Sequence, residues 1–202
     1  MVDLPSGKMK SREGRVVDAD ELINEMYQEA KTISESLGKL NDLSDSDKSI
    51  LFKDIALGAL KYHILKVDPK KRILFDPNES IDFNGNTGPF IQYTYARIQS
   101  LLRKNTNNKS FKDISISDKE RNIIIHLNDY PNVLLNAYSN LNPSLIANYV
   151  YDLVKLYNSF YQSHTVLGNN EINCFRILLS KKVGDYIKKS MYLLGIEVPK
   201  RM

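Results

Sequence analysis

The chain has 202 residues, with 28 Lys and Arg against 24 Asp and Glu, a net charge of +4. That length allows one large domain or two small ones, and the mild basic excess permits contact with a polyanion without demanding it. Cys174 is the only cysteine and no apolar run reaches the ~18 residues that cross a bilayer, which excludes an internal disulfide framework and a membrane-spanning helix.

In chain order, Gly7-Lys8-Met9-Lys10-Ser11-Arg12-Glu13-Gly14 comes first, a glycine-bracketed stretch with three basic side chains in five residues. It reads either as a solvated surface loop or as a loop that lays ammonium and guanidinium groups on a polyphosphate. Asp18, with Glu21 three residues on, predicts a capped helix carrying Leu22, Met26, Ala30 and Ile33 on one face and stopped by Gly38. A polar linker over 41–47 precedes a second helix at 48–66. Residues 68–77, proline near both ends, predict a turn and short extended segment.

Gly85, Gly88 and Pro89 open a helix that runs to Lys104, and 105–116 is a polar loop. Ser117 and Glu120 form a capping box for a helix that Pro131 ends or kinks. Asn142-Pro143 starts a helix reaching Ser163, and a last helix covers 170–194 before Gly195. The fold class is therefore mostly all-α, a helical bundle with one short extended segment. Cys174, near the start of that last helix, reads as a plain buried thiol.

Catalytic constellations are absent from the sequence. His63, His126 and His164 stand apart from one another at no metal-ligand spacing, and His63 reads as a structural histidine on a helix. No nucleophile elbow and no strand followed by a Gly-rich phosphate loop occurs. The chemistry on offer is binding. A helix start after Asn84-Gly85-Asn86-Thr87-Gly88-Pro89 offers free N–H groups to phosphate oxygens, and Phe90, Tyr93 and Arg97 share one face with Gln92 beside it. That face either stacks splayed RNA bases or turns Phe90, Tyr93 and Ile98 to the core with Arg97 in solvent.

Four blocks add a resemblance. Lys8-Met9-Lys10-Ser11-Arg12 looks like the arginyl form of the KMSKS loop of class I aminoacyl-tRNA synthetases. Gly58-Ala59-Leu60-Lys61-Tyr62 resembles that family's Ala-Leu-Arg-Tyr stretch. Residues 83–93 resemble its Gly-Asn-Thr-Gly-Pro-Tyr-x-Gln-Tyr block, and residues 193–202 its chain end with a terminal methionine. The order and spacing hold from residue 7 to 202, so the resemblance to the arginyl-tRNA synthetase family covers essentially the whole chain.

The resemblance implies a C-terminal portion divided into 1–17 (the ATP loop at the end of a catalytic domain), 18–80 (a connecting, stem-contacting segment) and 81–202 (an α-helical anticodon-binding domain). No His-x-Gly-His motif precedes Gly7, so the chain is expected to be inactive alone, with arginine–tRNA ligation belonging to the full protein. Lys8, Met9, Lys10, Ser11 and Arg12 would meet ATP, which with Mg2+ serves the full enzyme and is not bound by this portion alone. Phe90, Gln92, Tyr93, Arg97, Tyr149, Arg201 and Met202 would meet arginine-accepting tRNA. Ser11 stands where the general motif has its second lysine, leaving Lys8, Lys10 and Arg12 to share that role, and Phe90 replaces a tyrosine. Tyr149 reads equally as an anticodon contact or a core tyrosine. A cytoplasmic monomer that touches no membrane, and whose partner is the N-terminal catalytic portion, completes the expectation. The alternatives are the equivalent domain of another class I synthetase, or a helical protein-interaction module.

Overall fold

The computed structural model describes residues 2–4, 7–8, 18–36, 43–106 and 110–202, the first two stretches as backbone only. The elements are β1 (Val2–Leu4), β2 (Gly7–Lys8), α1 (Ala19–Ser36), α2 (Asp45–Leu65), β3 (Ile73–Leu74), α3 (Pro77–Ser80), α4 (Gly88–Lys104), α5 (Asp118–Asn128), α6 (Tyr130–Ser139), α7 (Ser144–Ser163) and α8 (Glu171–Leu193). The mostly all-α reading holds. The extended segment around residue 73 is present, and two further short strands join it: β1 runs antiparallel to β2 (Asp3↔Lys8) and parallel to β3 (Val2↔Ile73).

Caps explain most helix boundaries. At Ser117 and Glu120 both halves of the capping box form, which satisfies two of the donors a helix start leaves open. Asp18 caps α1 differently from the expectation, its carboxylate accepting from Asp20 N at 2.8 Å. Helix α2 begins at Asp45, ahead of the predicted residue 48, because Ser44 Oγ accepts from Asp47 N at 3.1 Å. Asn142 serves α7 from one residue further out than expected. Its Oδ1 accepts from Ser144 N at 3.0 Å, and the helix starts after Pro143. The predicted stop at Gly38 lies outside the described residues.

Two helix ends use the same 6→1 and 5→2 hydrogen bonds with a left-handed residue between. After α8 that residue is Gly195 (φ +68°), with Ile196 N donating to Met191 O and Gly195 N to Tyr192 O, both at 2.9 Å. After α6 it is Leu141 (φ +49°), with Asn142 N donating to Ala137 O at 2.9 Å. Leucine is strained there in a way glycine is not.

The core falls into two clusters joined by α2. Met26 and Ala30 of α1 pack on Leu51, Phe52, Ile55 and Ala59 of α2, with Phe75 and Ile81 closing one side. Further along α2, Tyr62 enters the larger cluster built from α4 to α8, which includes Ile91, Ile98, Leu153, Tyr157, Phe160 and Val183. Each such side chain contributes on the order of 1.5–3 kcal/mol by leaving water, so α4 is pinned along its inner face. Its outer face is what remains for function.

Candidate nucleic-acid interface

The turn that starts α4 is built by backbone constraints. Gly85 has φ +87°, a conformation glycine adopts without cost. Asn84 N donates to Asp82 Oδ1 at 2.8 Å, Thr87 Oγ1 donates to Asp82 O, and Phe90 N donates back to Thr87 Oγ1 at 3.3 Å. A Cβ on Gly88 would collide with the Gly58 carbonyl of α2. Tyr62 Oη bridges Asn86 Oδ1 (2.6 Å) and Ala147 O (3.0 Å), while Lys66 Nζ holds Asn86 O at 2.9 Å. The expectation of an open, phosphate-accepting helix start is corrected by this packing: Gly88 and Pro89 are buried, and the joint is structural.

One face of α4 does stay open. Tyr93, Ala96, Arg97, Ser100 and Arg103 line a cleft of about 450 Å³ with Arg201 and Met202 of the chain end. The Arg97 guanidinium lies between two rings, 4.9 Å from the centre of Tyr93 and 5.5 Å from that of Tyr161, with Nη1 donating to Asn158 Oδ1 at 3.1 Å. Phe83 meets Tyr93 edge-on at 6.4 Å. Three guanidinium groups on a semi-polar cleft favour phosphate by charge, and the aromatic wall offers a π-face to a base. Arg103 also stands in the last turn of α4, where the helix dipole favours a cation.

Four residues expected to meet RNA are thus brought together: Tyr93, Arg97, Arg201 and Met202. Phe90 sits one turn away, half-buried against the core and tilted on Tyr151 at 6.1 Å. Ile98 faces the core, as one reading of this helix expects. Gln92 is fully buried, and its Nε2 donates to Asp54 O (2.9 Å) and Glu197 O (2.7 Å). Tyr149 is 5% exposed. Its ring stacks on His126 at 4.3 Å, and its hydroxyl donates to His126 O at 3.1 Å. Burial pushes its phenol well above the ordinary value. Gln92 is interior where a surface contact is expected, and Tyr149 takes the core position that is one of its two readings. Of the expected ATP loop, Lys8 is described only as backbone in β2, and Met9, Lys10, Ser11 and Arg12 lie outside the described residues.

Ser100 and Arg103 escaped the sequence reading although the signal was there. They continue the Tyr93–Arg97 face at the same three- and four-residue steps. His63 and Cys174 serve the fold. His63 Nε2 meets Leu74 O at 3.0 Å, its ring packs edge-on to Phe75, and burial lowers its pKa. Cys174 is buried. Among the described residues no group of His, Cys, Asp and Glu could hold a metal ion, and no helix is long and apolar enough to cross a membrane.

Comparison with known proteins is consistent with these features. Residues 91–202 match the DALR anticodon binding domain family. The whole chain is 58% identical to a part of the arginine–tRNA ligase of Flavobacterium psychrophilum and 50% identical to a part of that of Parabacteroides distasonis. It spans about a third of the length of those relatives, 34% and 35% respectively. The fold is similar to that of Thermus thermophilus arginyl-tRNA synthetase over the whole chain and 34% of that protein, with a TM-score of 0.89 and 28% identity. A Plasmodium falciparum arginyl-tRNA synthetase aligns over 92% of the chain and 34% of its own length, with a TM-score of 0.80 and 29% identity.

Proposed function

Since the chain belongs to the DALR anticodon binding domain family, we propose that it is the RNA-holding part of an arginine–tRNA ligase and grips the anticodon stem-loop in the cleft on α4. The observation that carries this reading is the grouping of Tyr93, Arg97, Arg103, Arg201 and Met202 around one opening. Arg97, Arg103 and Arg201 neutralise phosphates, and the Tyr93 ring, which lines the same cleft, stacks a base. Phe90, half-buried one turn away and tilted on Tyr151, anchors the start of the helix that carries this wall.

In the proposed division, residues 81–202 hold the anticodon arm, 18–80 connect and approach the stem, and 1–17 belong to the ATP loop. The whole protein joins arginine to the 3′-terminal adenosine of its tRNA, and ATP with Mg2+ supplies the activated arginyl-adenylate. Lys8, Lys10 and Arg12 are the groups with the charge to meet the polyphosphate. The high identity to proteins named for arginine favours that amino acid over another of the class. We place the protein in the cytoplasm, as a monomer.

Binding of an arginine-tRNA anticodon stem-loop to the 202-residue chain tests the reading. Single-stranded RNA gives a log–log salt slope of about −0.7 per phosphate neutralised, so three arginines give about −2. Arg103→Met should bring that to about −1.4. A slope near zero would mean that the cleft does not hold RNA phosphates. With no His-x-Gly-His motif in its sequence, the chain alone should give no arginine-dependent ATP–pyrophosphate exchange.

A further inference from the structure

Residues 195–202 follow α8 back across the molecule, and three side chains from α2 and α4 hold them by their backbone carbonyls. Lys61 Nζ donates to Gly195 O at 2.6 Å, Gln92 Nε2 to Glu197 O at 2.7 Å and Arg103 Nη1 to Lys200 O at 3.2 Å. Of these donors only Gln92 is fully buried. Both of its amide hydrogens are used, the second on Asp54 O at 2.9 Å. Two carbonyl partners leave no choice of orientation, because only the nitrogen can donate.

The surroundings are shaped to this amide. A Cβ on Gly58 would collide with it, so the missing side chain on α2 is what leaves it room. Its Oε1 has no hydrogen-bond partner among the described residues. An unfilled buried acceptor opposes folding, so packing alone does not account for an amide at this position. Its donors do, since they join α2 to the chain end. Arg103 can be drawn away by a phosphate and Lys61 grips only the root of the tail. Gln92 is sealed from solvent and keeps its hold whatever occupies the cleft.

We propose that Gln92 is a positioning residue for RNA binding: it touches no RNA, and it fixes the tail so that Arg201 and Met202 line the cleft beside Tyr93 and Arg97. The functional half rests on the RNA reading given above, whereas the structural half does not. Gln92→Met keeps the length and bulk and removes both donors. Gly58→Ala is the second route to the same lesion. It raises helix propensity at residue 58 while displacing the amide.

Two measurements decide the matter, each on the full chain with far-UV circular dichroism as the folding control. In the first, amide exchange at Ile196, whose N–H donates to Met191 O at 2.9 Å next to the carbonyl that Gln92 holds, should quicken roughly tenfold in either variant, the equivalent of about one hydrogen bond, with exchange in α7 unchanged. In the second, either variant should weaken stem-loop binding about tenfold, the scale of one charge-assisted contact. That loss should vanish in an Arg201→Ala/Met202→Ala background, because Gln92 acts only through those residues. Unchanged tail exchange overturns the proposal, and so does an equal loss of affinity in both backgrounds, which is the mark of direct contact. If the unaltered chain binds no stem-loop, the RNA reading fails, and tail exchange alone then decides whether Gln92 holds the tail.

Discussion

Arg176→Met should remove the counter-ion of the one fully buried carboxylate among the described residues. Arg176 Nε lies 2.7 Å from Glu120 Oε1, with the two side chains 16% and 0% exposed. Burial alone would raise the Glu120 pKa. Hydrogen bonds from Arg176 and Ser117 outweigh it and hold the carboxyl below its ordinary value. In the variant the hydrogen bonds from Ser117 remain, but both contributions of Arg176 are gone, and burial, the largest single cause, raises the carboxyl relative to the unaltered chain. Breaking a buried pair from one side costs about 3–5 kcal/mol. At about 2–4 °C per kcal/mol for a chain of this size, Tm should fall by roughly 6–20 °C at pH 7.

The pH dependence supplies the check. In the unaltered chain Glu120 stabilises fully above its unfolded pKa of about 4.3, and that contribution is lost as pH falls through its lower folded value. In Arg176→Met the carboxyl is easier to protonate when folded, so the deficit should shrink as pH drops towards about 4.5. Urea melts at pH 7 and pH 4.5, followed by far-UV circular dichroism, measure both. A deficit below about 1 kcal/mol, the range of an exposed pair, or one equal at both pH values, would refute the reasoning.

Further outcomes follow from single side chains. Burial disfavours the imidazolium of His63 first of all, so its folded pKa lies below the ordinary value of about 6.5. Stability should therefore decline as pH falls from that value through the folded pKa, and melts of His63→Gln should lose this dependence. Tyr93→Ala should weaken stem-loop binding by about 1–3 kcal/mol, read by fluorescence anisotropy. Gly195→Ala should cost about 1–2 kcal/mol in a urea melt because of the positive φ, whereas Leu141→Gly, relieving the same strain, should be neutral or stabilising by up to about 1 kcal/mol.

Helices were legible where local chemistry sets them. Ser117 with Glu120, Pro89 after Gly88, Pro131 and Gly195 each act within a few residues, and each marked its boundary. The start of α2 slipped because Ser44 caps the helix from within what reads as a polar linker. Leu141 in a left-handed turn could not be read, because leucine carries no signal for that conformation and the turn bonds impose it.

The candidate site was legible in its residue types and less so in its geometry. Tyr93 and Arg97 share a face by helical spacing alone, but the return of residues 201–202 to that face depends on contacts a hundred residues apart. Gln92 reads as a contact because an amide beside the aromatic face suits RNA, and Tyr149 reads as one only through the family resemblance, against an equal reading as core. Tertiary packing took both inside. Whether an amide faces water or a buried carbonyl is a property of neighbouring elements that spacing along one helix does not carry.

The central claim is that RNA lies in the α4 cleft. Ultraviolet cross-linking of an arginine-tRNA anticodon stem-loop to the chain, with the attached peptides identified by mass spectrometry, tests it directly. Attachment should concentrate at Tyr93 and at Arg201–Met202, and should fall when salt is raised. Attachment confined to exposed aromatics elsewhere, such as Tyr138 on α6 or Tyr192 on α8, would contradict it.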